Sequence, residues 1–524
     1  GRQKEKSSLL TQVIHQPLAV VYHQEGSTLG TDSSKAKQLL MNTNRRIFHK
    51  KWAAELRARH CAKYVPMSIA YRGRLGPKIL WVDDIVPELD HDSGSIRTMA
   101  ILKILLDEGY DVTYQPSASR AVEYVLATQF VGVDVLPAWT PDQWLQSSKG
   151  ACPYDALVVA RRYVYENWRH QLLKACSGIP LIYDTVDLHF LRESRDHLTK
   201  THATNPDFSF DSLQVGAAAV DRRHRDALSS QCEPPAVDNI AKFLDALPEG
   251  SPLRHNRDIE LDIIRSAAIT VVVSADEVRL LKHYVPGAGH EERAAVGINA
   301  LFRNAAKIFV ISNIHEPELS FPSCDGRSGI LFVGNFNHPP NQQAVKYLLT
   351  EILPAVLRRL TPKLRSSFVV NIVGANIVPW ELQQLFDTLA RHVVFHGWLS
   401  NEHLRLLHHK VKLVVAPLLS GAGVKGKVNQ AMKYGVPVVA TPVAVEGMHL
   451  HNGTECLVGD GPEGFAVQLL TLYTDCALWH RLVAGGFGNI RQYFSPKVAK
   501  VQILKALTDV GAGSRGSSQR HFCE

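Results

Sequence analysis

From Lys78 onward, short apolar runs alternate with amphipathic stretches, and the spacing predicts strands separated by helices. Lys78–Asp84 (KILWVDD) opens the series as a strand. Ser93, Gly94 and Ser95 then precede a helix over Ile96–Asp107, closed by Gly109. Further strands are predicted at Ala156–Ala160, Leu181–Val186 and Ile269–Ser274. A more regular series starts at Gly329, with strands at Ile330–Val333, Phe368–Val373, Val393–His396, Lys412–Ala416, Val438–Thr441 and Cys456–Gly459. Helical stretches lie between them, notably Gln342–Leu360 and Glu402–His409. Such alternation implies an α/β protein with two parallel, doubly wound sheets and right-handed crossovers.

The pattern divides the chain into a first unit over 76–315, a second unit over 327–484, a helical segment over 485–510 and a flexible tail over 511–524. Residues 1–70 form an extension with one apolar run (Pro17–Tyr22), a polar turn (Glu25–Ser34) and a basic, helical segment ending near His60, too little to build a core. Within the first unit, 197–257 is polar, weakly periodic and rich in Asp, His and Pro, and reads as a partly disordered insertion. Its histidines lack ligand spacing, so no metal is expected. At 524 residues, 45% hydrophobic and 21% charged, this is an ordinary globular composition of more than one domain. A net charge of +8 without a basic-aromatic ladder excludes nucleic acid as the expected partner. The eight cysteines form no CxxC pair, which favours free thiols and a cytoplasmic default. No apolar run reaches the roughly 18 residues that cross a bilayer. The chain begins at Gly1 rather than Met, as a piece of a longer protein does.

The segment with most chemistry is Ala416–Thr441 (APLLSGAGVKGKVNQAMKYGVPVVAT). A strand runs into Gly421 and Gly423, which permit a tight turn and close approach of a ligand. A helix is predicted from about Val424 to a Gly435 cap. Free N–H groups at its start, with Lys425 and Lys427 beside them, suit a phosphate-bearing ligand, against a glycine turn with two solvated lysines. Gly334-Asn335 also follows a strand directly. Ligands of doubly wound sheets sit beyond such strand ends, and two units in tandem suggest a cleft between them. No GxGxxG opens the first helix, which argues against a nicotinamide dehydrogenase.

Several segments resemble glycosyltransferase family 4, retaining enzymes of GT-B fold: ILFVGNFNHPPN (330–341), VVFHGWLS (393–400), the loop over 414–441, VEGM (445–448) and DGPEGFA (460–466). WVDDIVPELDHDSGS (81–95) and IYDTVDLHFLRESR (182–195) resemble that family's acceptor domain, while 20–30 and 42–52 resemble the tail of a family 2, GT-A type domain. The resemblance implies metal-independent transfer of a sugar from a nucleoside diphosphate to a hydroxyl of a glycan, lipid or protein, with no further cofactor. It also implies membership of a larger multidomain glycosyltransferase.

The implied donor residues are Gly334, Asn335, Gly421, Gly423, Lys425, Lys427 and Gln430, with Lys427 also supporting the leaving group. Gly397-Trp398 would lie near the base, where the tryptophan fits packing equally well, and Glu446-Gly447 near the donor. On the acceptor side, His189 follows a strand end and is expected to face the cleft, orienting a hydroxyl or moving a proton, with a buried, hydrogen-bonded histidine as the alternative. Asp187 and Arg192 accompany it, and Gly94 and Ser95 offer N–H groups or a plain helix cap. The chain departs from the family where paired glutamates are common, at Ala422 and Gln430. It has Leu419 where an arginine commonly precedes the loop, and Asn337 and His338 in place of a basic pair. Of these departures, Gln430 and Leu419 favour a second function, a GT-B module that binds nucleotide sugar or glycan without turnover, and the intact GAGVKGK loop argues against it. Another GT-B enzyme such as a nucleotide-sugar epimerase finds no particular support in the acceptor-side sequence.

Overall fold

The computed structural model describes residues 76–90, 92–118, 121–148, 152–204, 237–285, 307–318, 322–374 and 378–513, with seven helical residues between 42 and 51. Most of the two N-terminal segments likened to a GT-A tail, residues 205–236 of the polar stretch, and the tail from 514 lie outside the described residues.

Thirteen strands are described: β1 Lys78–Asp83, β2 Asp111–Pro116, β3 Asp134–Val135, β4 Ala156–Ala160, β5 Leu181–Asp184, β6 Ile269–Val272, β7 Ile308–Val310, β8 Ile330–Val333, β9 Val370–Val373, β10 Val393–Phe395, β11 Leu413–Ala416, β12 Val438–Ala440 and β13 Leu457–Val458. They form a seven-stranded sheet, β3-β2-β1-β4-β5-β6-β7, and a six-stranded one, β10-β9-β8-β11-β12-β13. Every pairing is parallel; Ile79 lies opposite Val112 and Ala156, and Val414 opposite Leu331 and Val438. Strands such as KILWVD are buried on both faces by flanking helices, which is why they read as continuous apolar runs rather than alternating ones.

The apolar-run criterion misses β2, β3 and β7. Strand β2 (DVTYQP) is fully buried, yet half polar, and its Gln115 amide donates to the Pro116 and Pro137 carbonyls. Predicted strand ends also recede: β5 stops at Asp184 because Val186 takes a φ of 61°, which no strand accommodates. Residues 342–360 are not one α-helix. Pro354 cannot donate a backbone hydrogen bond, and the preceding turn widens over Leu348–Ile352, where the Leu353 N–H bonds to the Leu348 carbonyl.

The polar stretch carries more order than its composition predicts. Helix His189–Thr204 runs into it, and helices Val237–Ala246 and Pro252–Ser266 close it. Ile240, Leu244, Leu261 and Ile264 of these helices join the core cluster of Leu157, Tyr183 and Leu280. Spaced four apart on the first helix and three apart on the second, they give each a narrow apolar stripe that polar neighbours obscure. After helix Cys476–Asn489, the chain crosses back: helix Pro496–Asp509 buries Ala499, Ile503, Ala506 and Leu507 against Ile79, Trp81 and Val112 of the first lobe.

The expectation of free thiols is overturned for four cysteines. Cys152 bonds to Cys176, and Cys324 to Cys476, with Cα–Cα separations of 5.0 and 5.8 Å. Each bridge joins positions distant in sequence, so no CxxC spacing could announce it; the cytoplasmic default loses that support. Among the described residues no helix is long and apolar enough to cross a membrane.

Candidate functional site

In the second sheet the strand order reverses between β8 and β11, so the loops leaving their carboxyl ends diverge, the place where ligands of doubly wound sheets bind. The loop after β8 supplies Gly334 and Asn335. Gly334 lies so close to Asn341 that an added Cβ would come within 2.8 Å of its Cγ. The Asn335 carbonyl accepts from the Asn341 amide (2.8 Å), and its side chain accepts from the Asn337 N–H (2.8 Å). Asn341 in turn accepts from Lys427 Nζ at 2.6 Å, which ties the two loops together.

The loop after β11 is anchored where the Thr441 hydroxyl donates to the Leu418 carbonyl (2.6 Å). Gly421 and Gly423 follow with φ of 129° and 67°, conformations that favour glycine. Helix Gly426–Lys433 begins without a side-chain cap; the Val428 and Asn429 N–H groups turn back to the Lys425 carbonyl (2.9 and 3.3 Å). Lys425 is buried and donates to the carbonyls of Ala422 (3.2 Å) and Gly423 (2.6 Å). Burial pushes its pKa down to about 8, against the pull of Glu446. Lys427 lies 4.4 Å over the Phe332 ring, and burial, then the Lys425 charge, push it down to about 7.

This loop lies on the first lobe. A Cβ at Gly426 would meet Ser93 at 2.5 Å, one at Gly423 would touch Val273 and Asp187, and one at Gly447 (φ 70°) would meet Ser274 at 2.8 Å. Ala422 packs against the first lobe's core. Gln430 is half-buried one turn beyond Lys427, and Leu419, Asn337 and His338 are exposed. Asn313 bridges to the Val424 carbonyl (3.4 Å) and to Asn429 (3.1 Å).

The first sheet reverses between β1 and β4, whose ends supply Asp83, Asp84 and Arg161. Arg161 pairs with the buried Asp83 at 2.9 Å, and the Tyr163 hydroxyl donates to Asp84 (3.0 Å). Arg161 and Val186 both hold positive φ (73° and 61°) beside Gly94, backbone strain of the kind that collects at functional sites. Asp92 caps the helix that starts at Ser93, accepting from both the backbone and the hydroxyl of Ser95.

His189 is not presented openly to the cleft. It begins helix His189–Thr204, is 3% exposed, and its ring stacks obliquely 5.9 Å from Tyr163. Its Nε2 lies 3.6 Å from Asp187 and has no hydrogen-bond partner among the described residues. Desolvation pushes the imidazole down to about 4, so it is neutral near pH 7. Asp187 is held by Arg192 (2.6 and 2.9 Å). Beneath them, buried Glu260 accepts from the N–H groups of His189 and Phe190 and from Tyr183, and Glu277 from those of Leu188 and Val273.

Glu446 is buried and ion-paired with Arg195 of the first lobe, which also donates to the Gly421 carbonyl at 2.8 Å. Sequence reasoning missed Arg195, Asn313, Glu260 and Glu277. Arg195 stands one turn from Arg192 in LRESR, where nothing distinguishes it from a solvated helix cation. Gly397 (φ 65°) and Trp398, half exposed, follow β10 at the same strand edge, away from the lysines.

Residues 327–475 match the family model described as glycosyl transferases group 1. An uncharacterized 44.6 kDa protein in the cps region of Klebsiella pneumoniae is 25% identical over 179 residues, 34% of this chain; the match spans 45% of that relative's length. A sucrose-phosphate synthase from Thermosynechococcus elongatus superposes with a TM-score of 0.54 at 13% identity, covering 83% of this chain and 99% of that one. HepE of Anabaena, in complex with UDP-glucose, gives 0.52 at 15% identity over 82% of this chain and 99% of its own. A glycosyltransferase from Rickettsia africae gives 0.50 at 12% over 83% and 99%. With the two facing Rossmann-like sheets, these likenesses give the chain the GT-B fold, and its second lobe carries the match to glycosyl transferases group 1.

Proposed function

We propose that this protein is a retaining glycosyltransferase that moves a sugar from a nucleoside diphosphate to a hydroxyl of a glycan, lipid or protein. The observation that carries this reading is the buried, lysine-bearing helix start at the switch point of the second sheet, pressed against the first lobe. A departing diphosphate accumulates negative charge, and Lys427 and the N–H groups of the loop and helix start would meet it without a metal, while Lys425 would hold the loop from its carbonyl side and add its charge at longer range. Gly334 and Asn335 would border the phosphates, Gln430 the ribose, Glu446-Gly447 the sugar, and Gly397-Trp398 the base. Retention follows if the acceptor hydroxyl enters on the face from which the diphosphate leaves. Buried, neutral His189 would then support Asp187 and Arg192 from behind rather than carry charge, with those two side chains, Gly94 and Ser95 lining the acceptor side.

Gln430 in place of a carboxylate favours a second reading, in which the same pocket binds without turnover. Incubation with UDP-, GDP- and ADP-sugars, with nucleotide release as readout, decides between them. Release of nucleotide with one donor is the expected result. Binding without release, across varied acceptors, would leave the non-catalytic module, and absence of both would remove the donor assignment.

A further inference from the structure

Arg195 is rooted in helix His189–Thr204 of the first lobe, yet its guanidinium ends on the second. It donates to the Gly421 carbonyl at 2.8 Å and to the Glu446 carboxylate, and the residue is 9% exposed. The next two carbonyls of the loop, Ala422 and Gly423, are held by Lys425 Nζ. Three successive carbonyls are thus turned onto two cations. The chain contains no cis peptide bonds among the described residues, and in a trans peptide the carbonyl and the following N–H point to opposite sides. Holding the carbonyls of 421, 422 and 423 therefore turns the N–H groups of Ala422, Gly423 and Val424 away from the cations. Those three N–H groups meet no acceptor among the described residues.

We propose that Arg195 is a positioning residue for the donor: bonding across the lobe boundary, it sets the peptide planes of the Gly421–Val424 loop so that their N–H groups form an anion-binding array. The idea rests on the donor assignment above and adds a condition to it. Lys425 belongs to the loop's own lobe and is present in any arrangement of the two lobes. Arg195 reaches the loop only while the lobes are together, so the array is complete only in the closed molecule. Glu446 has a second task here, because its carboxylate fixes the guanidinium that holds Gly421. A bidentate fork suits this arrangement, since one planar group must satisfy a carbonyl and a carboxylate in fixed directions.

The test compares wild type, Arg195→Met and Arg195→Lys by calorimetric titration with UDP, GDP and ADP, and with the matching nucleosides, alongside far-ultraviolet circular dichroism. Arg195→Met should weaken the favoured diphosphate about tenfold or more, the scale of a lost charge-assisted contact. Binding of the nucleoside alone should not change, and Arg195→Lys should recover part of the loss. A purely structural role would instead lower both affinities together or only the thermal midpoint, and that pattern would overturn the proposal. Full diphosphate affinity in folded Arg195→Met would overturn it alone. A wild-type chain that binds no nucleoside diphosphate would remove the transferase reading and this one with it.

Discussion

Lys427 places its ammonium against an amide oxygen and an aromatic ring, and burial with the Lys425 charge pushes its pKa down to about 7. A bound diphosphate would pull that value up again, so the complex holds a proton that the free site has begun to lose. Affinity is then constant below about pH 7 and falls as pH rises from there toward the value in the complex. Titrations of UDP between pH 6 and 9, in two buffers of different ionisation enthalpy, should show proton uptake in the upper range. Lys427→Met should remove that pH dependence and weaken binding roughly 10- to 100-fold. Both lysines were legible in the sequence because GAGVKGK places glycines and cations together at a helix start. Their altered acidity was not, since it comes first from burial, which depends on segments remote in the chain.

At the scale of elements, the start of helix His189–Thr204 is held by carboxylates from two other helices. Glu260 and Glu277 are buried, and desolvation, partly opposed by backbone N–H donors, raises each to about 7. A carboxyl raised in the folded state stabilises the protein most below its unfolded value near 4.5, and that contribution is lost as pH climbs through about 7. Thermal midpoints should accordingly decline between pH 5 and 8, and Glu260→Gln should flatten the decline. An unchanged slope would show that Glu260 titrates at its ordinary value. Helices over 237–266 were hidden by polar composition, because what identifies them is a narrow apolar stripe resting on the first sheet. Strand β2 was hidden for the converse reason: its polar residues find partners inside the fold, and pattern alone takes them for surface.

For the molecule as a whole, the return of the chain onto the first lobe joins the two sheets at a second place. Ile503 lies in the core with Trp81 and Ile101. Ile503→Ala should cost about 2–4 kcal/mol in urea unfolding, while nucleotide affinity of the folded fraction stays as in wild type. A loss of affinity without loss of stability would mean that this helix also shapes the donor site. The sequence by itself determined the α/β class, the tandem sheets and the glycine-lysine loop after β11, because periodicity and turn chemistry are local and survive without partners. Only the tertiary structure decided that His189 is a buried neutral ring, that four cysteines pair, and that Arg195 crosses the lobe boundary to the loop. Each of those depends on segments far apart in the chain meeting at one point, and burial there, rather than residue type, sets charge, pairing and reach.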